Sequence, residues 1–435
     1  MHFLYQLGIH AYAALVRVAS LFHAKARLRV DGLDDIWAKM RRSAAASASV
    51  NSSPRPLAWF HCASLGEFEQ ARPVIEGFRV RYPHFRILLT FFSPSGYEVR
   101  KGWPGADHIF YLPDDTADNA EKLYHTFKPD IAFFVKYEFW YNYLRVLHAK
   151  GVPIISFSAI FRPGQIFFKP HGKFFADMLR NFTHFFVQNE ESKKLLNSIG
   201  IQNLSISGDT RFDRVAAIAE YRKDLPLAAR FKGNKPLLLI GSAWPEDTEF
   251  LMPILNRLSD KLNIIIAPHE IEQDYIDDLR EQFKGNSTTW SAAQDGGTSG
   301  AGLLIIDNIG MLSTLYRYAD YAWVGGAFGK GLHNILEAAV WGIPVFFGPK
   351  YNKFQEADDL VKLGGAFSCT NEQATEALLL AFLENTKHKE AAGKASAAYV
   401  QSKTGATHSV LDNCANYSLL LSLPQNNQNP VSFNG

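Results

Sequence analysis

The sequence predicts an α/β chain with two doubly wound parallel sheets, and three features carry that prediction. Short apolar runs alternate with longer amphipathic stretches from Leu57 onward. A charged and polar stretch without strand signal, Asp213 to Lys235, interrupts the alternation near the middle. Glycine-bearing turns follow apolar runs in both halves, at Ser64-Leu65-Gly66-Glu67 and at Gly325 to Gly331. Such alternation reads as repeated β-α-β units. Ligands of open α/β sheets bind beyond the carboxyl ends of the strands, so both turns are expected to open toward a cleft between two domains.

Composition sets the outer bounds. The chain has 435 residues, 47% hydrophobic and 20% charged, with a formal net charge of +2. That length suits two or three domains, and the charge balance gives no bias toward nucleic acid. The three cysteines, Cys62, Cys369 and Cys414, have no metal-ligand spacing, and so sparse and odd a count fits a reducing compartment.

Taken in order, Phe3 to Phe22 is a mostly apolar stretch broken by Gln6, His10 and Arg17, followed by Lys25, Arg27, Arg29, Lys39, Arg41 and Arg42. Arg17 would cost about 2.5–3.5 kcal/mol at mid-bilayer. The stretch is therefore expected to lie in, or only partly enter, a cytoplasmic leaflet, with its basic flank on anionic lipid. An amphipathic helix packed on the protein itself is the alternative. Residues 1–42 are assigned to this segment. The Ala/Ser/Asn/Pro stretch 43–56 reads as a flexible linker. Residues 57–212 form a first domain with strands Leu57–Phe60, Arg86–Thr90, His108–Tyr111, Asp130–Val135, Pro153–Ser158 and His184–Val187. An interdomain connection, 213–235, leads to a second domain, 236–421. Its strands are Leu237–Ile240, Asn263–Ala267, Leu303–Ile306, Tyr321–Val324 and Val345–Phe347, with Ser291–Gly302 a loop. The Asn-, Gln- and Pro-rich tail, 422–435, is expected to be disordered.

The unit from Ala319 to Pro349 holds the densest signal. An apolar strand is followed by Gly325, Gly326, Gly329 and Gly331, then by a helical pattern from His333 to Trp341 that Gly342 stops. Glycines admit a ligand close to the backbone, and a helix start suits a phosphate. Asn334 and Glu337 share a face, and Glu337 could accept from two ribose hydroxyls. In the first half, Glu67 stands at a strand end on a helix start. There a carboxylate stays ionised and can take a proton from an alcohol, or merely complement the dipole.

Several segments, in register, resemble the 3-deoxy-D-manno-octulosonic acid (Kdo) transferases of lipopolysaccharide synthesis. His61-Cys62-Ala63-Ser64-Leu65-Gly66-Glu67 resembles "H-x-x-S-x-G-E", and Glu138-Phe139-Trp140 with Asn142 resembles "E-x-W-P-N". Ser156 to Ala159 resembles "N-x-S-A-R", Gly208 to Asp213 "G-N-x-K-F-D", Gly241-Ser242-Ala243-Trp244 "G-S-T-H", and Pro268-His269-Glu270 "P-R-H". The Ala319–Pro349 unit resembles the long "V-G-G-S…G-G-H-N-x-x-E-P-A" signature. The resemblance runs from about residue 57 to 350, plus the apolar-basic N-terminus.

That resemblance implies a GT-B glycosyltransferase, two doubly wound Rossmann-like domains facing a cleft. It implies an inverting, metal-independent transfer of Kdo from CMP-Kdo to a lipid A precursor at the cytoplasmic face of the bacterial inner membrane, with no cofactor. By the family pattern Glu67 is the general base, and Glu138 and Arg211 stabilise the transition state. Pro268 and His269, then Ile309, Gly310 and Met311, then Asn334, Ile335, Leu336 and Glu337 match CMP-binding segments. The chain departs from the pattern at His269 (usually Arg), Glu270 (usually His), Met311 (usually Glu) and Arg211 (usually Lys), and it lacks Pro after Trp140. A UDP-sugar transferase or epimerase, and a non-catalytic membrane-attached nucleotide-sugar-binding protein, are the competing readings.

Overall fold

The computed structural model describes residues 1–49, 55–221, 224–298 and 300–415. It divides into two compact units. The first holds Met1–Arg214 and the described residues from Thr404 onward, and the second holds Val215–Lys403.

The sheet of the first unit has seven strands: β1 (Leu57–Cys62), β2 (Arg86–Phe91), β3 (His108–Tyr111), β4 (Ile131–Val135), β5 (Ile154–Ala159), β6 (His184–Val187) and β7 (Leu204–Ile206). Their order is β3-β2-β1-β4-β5-β6-β7, and every pair is parallel. Strand β1 is buried along its whole length, as a sheet covered on both faces requires. Its outward residues are sorted by the strand period of two. Phe60 stacks on Phe133 at 4.4 Å on one face, and Trp59 meets Phe134 and Tyr143 on the other. The covering helices begin at side-chain caps that leave few amide donors unmet, with Thr116 accepting from Asn119 and Asn189 from Ser192.

The second unit repeats the plan. Its strands are β8 (Leu237–Ala243), β9 (Asn263–Pro268), β10 (Ser287–Thr289), β11 (Leu303–Ile305), β12 (Tyr321–Val324), β13 (Val345–Phe347) and β14 (Ala366–Ser368). They lie in the order β10-β11-β9-β8-β12-β13-β14, again parallel throughout. In each sheet the first strand is central and the order reverses beside it, which creates a switch point.

Several expected boundaries move. Helix Ile36–Ser49 covers half of the expected linker, because the Ala-rich run 44–49 is a strong helix former; residues 50–54 lie outside the described residues. The expected connection 213–235 is largely helical, in Thr210–Tyr221 and Pro226–Lys232. The loop expected at 291–302 opens with helix Trp290–Gly296, capped by Thr289. Strands β7, β10 and β14 have three residues each and are only partly buried, so they leave no uninterrupted apolar run. The second domain does not extend to 421. Helix Ala406–Cys414 belongs to the first unit, where Val410, Leu411 and Cys414 join its core and Arg81 pairs with Asp412 at 2.6 Å. The tail 422–435 lies outside the described residues.

The N-terminal segment is three helices, His2–Ala19, Ala24–Leu33 and Ile36–Ser49. No single described helix is long and apolar enough to cross a membrane; the first two pass that test only as a pair, bent by 117°. Helix His2–Ala19 has two apolar sides. Tyr5, Ile9, Ala13 and Val16 are partly covered, whereas Leu4, Leu7, Leu15 and Val18 are exposed. It is held by a buried carboxylate. Asp115 accepts from the Tyr5 hydroxyl at 2.6 Å and from the Asn142 and Tyr143 amides at 3.0 Å, and Gln6 donates to Asn142 at 2.7 Å. Burial raises the Asp115 carboxyl against those donors. Arg29 does not join a lipid-facing basic flank. It is 4% exposed, pairs with Asp114 at 2.8 Å and lies over the Phe92 ring.

Tyr5→Phe should loosen this attachment by about 1–3 kcal/mol, the cost of depriving a buried acceptor of a donor. Amide exchange read by mass spectrometry should then speed up across residues 2–19 and stay unchanged in β1 and β4. Unchanged protection of residues 2–19 would show that ring packing alone holds the helix.

Candidate active site

In the first unit the sequence-predicted residues converge at the carboxyl ends of β1, β4 and β5. Strand β1 ends at Cys62, and Glu67 follows in the first turn of helix Leu65–Arg81. The Ser64 hydroxyl donates to Glu67 Oε2. Strand β4 ends at Val135, and the turn after it carries Tyr137 and Glu138. Glu138 Oε2 accepts from Trp140 Nε1 at 2.8 Å and lies 3.3 Å from His61 Nε2. His61 is fully buried and is held from its other nitrogen by Thr90 Oγ1 at 2.9 Å. Burial pushes the Cys62 thiol well up, and the charges of Glu67 and Glu138 push it further. Both carboxylates therefore lie around one strand end. Burial also raises the Tyr137 hydroxyl, while Arg162 and Arg211 lower it and Glu67 raises it. Tyr137 thus marks the place where Glu67, Arg162 and Arg211 come together.

Arg211 is set by a buried carboxylate. Asp209 accepts from the Arg211 amide and from Arg211 Nε, both at 2.9 Å, and from Gln70 Nε2 at 2.8 Å. Burial alone would raise Asp209, but Arg211, Gln70 and Lys136 together hold it below the ordinary carboxylate range. Thr210 next to it bonds Ser158 Oγ and the Gln70 carbonyl. Lys136 and Ser158, at the ends of β4 and β5, have φ of 56° and 50°. Non-glycine residues seldom adopt that region, and it clusters at functional sites.

In the second unit the corresponding strand ends are those of β8, β9, β11 and β12. Asp247 organises them. It is buried, and it accepts from the amides of Gly326 (2.8 Å) and Trp244 (3.1 Å) and from Trp323 Nε1 (3.3 Å). Burial raises its carboxyl, and those donors oppose the rise. Gly325 is obligatory here, because a Cβ would stand 2.3 Å from the Ser242 carbonyl oxygen. Gly326 has φ 94°, which suits glycine. Pro268 ends β9 and His269 follows, its amide bonded to the Ala243 carbonyl at 2.9 Å. The His269 ring lies on Trp244 and beside His333. Ile309 is 86% exposed, Gly310 has φ 94°, and Met311 starts the single turn Leu312–Leu315. Asn334 Nδ2 donates to Glu337 Oε1 at 3.1 Å. Glu337 adds to the raised ionisation of buried Tyr316, and Trp341 Nε1 bonds the Ser313 carbonyl at 3.0 Å. The segments 309–316 and 334–341 are therefore neighbours.

Known proteins resemble this chain over much of its length. The family model described as 3-Deoxy-D-manno-octulosonic-acid transferase (kdotransferase) matches residues 37–214. The 3-deoxy-D-manno-octulosonic acid transferase of Chlamydophila psittaci is 25% identical over 371 residues, covering 80% of each chain. That of Aquifex aeolicus is 27% identical over 320 residues, covering 72% of this chain and 82% of its own. Over residues 37–214 the chain matches the Kdo transferase family, and it is similar to these transferases over most of its length. Its fold is also that of a UDP-GlcNAc 2-epimerase from Neisseria meningitidis bound to UDP-GlcNAc, with a TM-score of 0.60 at 14% identity over 84% of this chain and all of the other. That likeness concerns the fold alone. Two Rossmann-like units of this kind are the GT-B class, and the Kdo transferase family is one of glycosyltransferases.

The Kdo transferase resemblance located the strand ends, and the structure adds the residues that hold them. Glu67, Glu138 and Arg211 gather in the first unit; Pro268, His269, Ile309 to Met311 and Asn334 to Glu337 gather in the second. One expectation fails. The helix expected over His333–Trp341 is the single turn Leu336–Ala339, with Ile335 and Leu336 buried. Gly331 at φ 117° and the Asn334 side chain, which accepts from the Leu336 amide, take the chain around the corner instead. The macrodipole of one turn is small, so phosphate binding there cannot rest on it. Arg162, Asp247 and Lys330 escaped the sequence reading. A signal existed for Asp247. Pro245 opens a helix and an acid follows two residues later, the N3 place of a capping box. No local pattern marks Arg162.

Asp209 gives a pH test. Its folded ionisation is depressed, so its contribution is present above the unfolded value of about 3.9 and is lost as pH falls through the lower folded value. Asp209→Asn should therefore cost about 1–3 kcal/mol at pH 7, the scale of charged hydrogen bonds, and less at pH 3, below the unfolded value. Urea unfolding of both proteins at the two pH values checks this. A pH-independent difference would remove Asp209 as the charged anchor of Arg211.

Proposed function

We propose that the protein transfers Kdo from CMP-Kdo to a lipid A precursor, with inversion and without a protein-held divalent metal. The carrying observation is the gathering of Glu67, Glu138 and Arg211 around Tyr137 and Cys62, inside the stretch that the family model matches. Glu67 is the base. The Ser64 hydroxyl occupies one carboxylate oxygen, which leaves the other to take the proton of an acceptor hydroxyl as the new bond forms at the anomeric carbon. The bond from that carbon to the CMP phosphate breaks on the opposite face, so one base suffices and no second carboxylate is needed as nucleophile. Glu138, fixed by Trp140 and His61, and Arg211, fixed by Asp209, supply oriented charge where charge develops. The second unit binds CMP through Pro268, His269, Ile309, Gly310, Met311 and the Asn334–Glu337 turn. Leaving-group charge then falls to backbone amides and side-chain donors.

Membrane lipid is the partner of the N-terminus in this reading, at the cytoplasmic face of the bacterial inner membrane. The exposed stripe Leu4, Leu7, Leu15 and Val18 supports it. The stripe enters the interface while the opposite side of the helix stays on Asp115 and Asn142. Arg17, Lys25 and Arg27 face the headgroups.

Glu67→Gln keeps the shape of the side chain and removes the proton acceptor. Transfer, followed by mass spectrometry of the lipid product, should fall by about 10²–10⁴-fold, while CMP binding read by calorimetry stays within a few-fold of the parent. Transfer retained at parent level would move the base role away from Glu67.

Replacing Leu4, Leu7, Leu15 and Val18 together by Ser should release the protein from anionic phospholipid vesicles. Each burial is worth about 1.5–3 kcal/mol, so retention should drop by on the order of 10²-fold or more with the fold intact. Flotation equal to the parent would assign anchoring to another surface.

A further inference from the structure

Three rings beside the glycine loop of the second unit form one assembly. Trp244 Nε1 donates to His333 Nε2 at 2.8 Å. The two rings are nearly coplanar, 13° apart with centroids at 6.3 Å. The His269 ring lies across the pair, 4.5 Å and 26° from Trp244 and 4.4 Å and 31° from His333. Lys330 Nζ stands 5.2 Å from the Trp244 ring centroid. The backbone fixes all three rings. Asp247 holds the amides of Trp244 and Gly326, the His333 amide bonds the Gly325 carbonyl at 3.1 Å, and the His269 amide bonds the Ala243 carbonyl. Even the loop is cut to this shape: a Cβ on Gly326 would lie 2.9 Å from His333 Cδ2.

An indole N–H donates and never accepts. His333 Nε2 must therefore offer its lone pair to Trp244, and a neutral ring bound that way carries its proton on Nδ1. An imidazolium in the same place would set two N–H groups head to head. We propose that Trp244 is a positioning residue that fixes His333 as the neutral Nδ1–H tautomer, giving the nucleotide site an uncharged, pH-insensitive hydrogen-bond donor for an acceptor oxygen of the bound nucleotide. The proposal rests on the donor-site reading above and names the device that serves it. Burial, with a smaller contribution from His269, independently pushes His333 down to about 4. The chain stands apart from the resembling pattern at two of the three rings, with Trp244 in place of "H" in "G-S-T-H" and His269 in place of "R" in "P-R-H". The two departures touch each other, and they build a stack where the pattern places a guanidinium.

The test uses the full chain labelled with ¹⁵N-histidine. Long-range ¹H–¹⁵N spectra, with the His333 signals assigned by difference against His333→Gln, should show a protonated Nδ1 and a bare Nε2 from pH 5.5 to 8. Trp244→Phe keeps an aromatic ring under His269 and removes the N–H together with part of the indole. In that variant the His333 tautomer should shift toward Nε2–H, and the ring should titrate at higher pH. The affinity for CMP, measured by calorimetry at pH 7.5, should fall about 3–10-fold, the worth of one hydrogen bond. It should recover in part at pH 5.5, where the loosened ring gains charge. The other titratable groups around the assembly, His269, Lys330, Glu246 and Asp247, are the same in both proteins, so the difference between them isolates His333. A parent ring that is Nε2-protonated or cationic at neutral pH overturns the proposal without any variant being needed. Unchanged tautomer and CMP affinity in Trp244→Phe overturn it as well. A parent with the Nδ1–H tautomer that binds no CMP overturns the nucleotide role and, with it, the donor-site reading.

Discussion

Buried carboxylates hold the loops that leave the carboxyl ends of both sheets, and the candidate site depends on them. A parallel sheet delivers its strands to one edge, where each chain must turn sharply with amides that no neighbouring strand can satisfy. In the first unit Asp209 meets the Arg211 amide and the Arg211 and Gln70 side chains. In the second, Asp247 meets the Trp244 and Gly326 amides and the Trp323 indole. Desolvating a carboxylate is costly unless several donors surround it. These two have such donors, and the directions of their shifts differ for a physical reason. Asp209 has a guanidinium beside it and stays depressed, whereas Asp247 has only neutral N–H donors and is raised.

The same anchoring explains why strained backbone persists at these edges. Lys136, Ser158 and Ser242 all have positive φ without being glycine. Each such residue costs on the order of 1–3 kcal/mol. Ser158 is held by Thr210 and by Gln188, which donates to its carbonyl at 2.9 Å. Ser242 borders Gly325, whose missing side chain lets the two backbones meet. Side chains mounted on such turns keep their directions when a ligand arrives, which is what a charge-stabilising site requires.

Much of this was legible in the chain, and the illegible part has a common cause. Strands His108–Tyr111, His184–Val187, Tyr321–Val324 and Val345–Phe347 were read to the residue, because buried parallel strands are uninterrupted apolar runs bounded by polar turns. Strands of three residues at the sheet edges, such as Ser287–Thr289, are half exposed and leave no such run. Glu67, Glu138 and Arg211 were found through ordered motifs, whereas Arg162, at the carboxyl side of β5, became visible only through its effect on Tyr137. The placement of Ala406–Cys414 on the first unit could not be read either. Its apolar face, with Val410, Leu411 and Cys414, would suit a core in either half. The N-terminal stretch shows the same limit. Its composition favoured lipid over packing on the protein, and the helix His2–Ala19 packs one side on Asp115 and Asn142 while its other apolar side is exposed.

The two units meet opposite electrostatic demands with different chemistry. Around Tyr137 the first unit brings together carboxylates and guanidinium groups, a mixture suited to moving a proton and steadying charge as it develops. The second unit surrounds its glycine loop with neutral donors: the amides ordered by Asp247, the Asn334 side chain and a histidine whose proton Trp244 places on Nδ1. A neutral donor binds a phosphate oxygen without the desolvation cost of a buried cation, and it binds equally well across the pH range in which an imidazolium would fade. Lys330 stands over the Trp244 ring at the rim. The donors beneath it are fixed by the backbone. Orientation and charge are thereby carried by different residues. A leaving nucleotide needs both, and it must also be released once the new bond has formed.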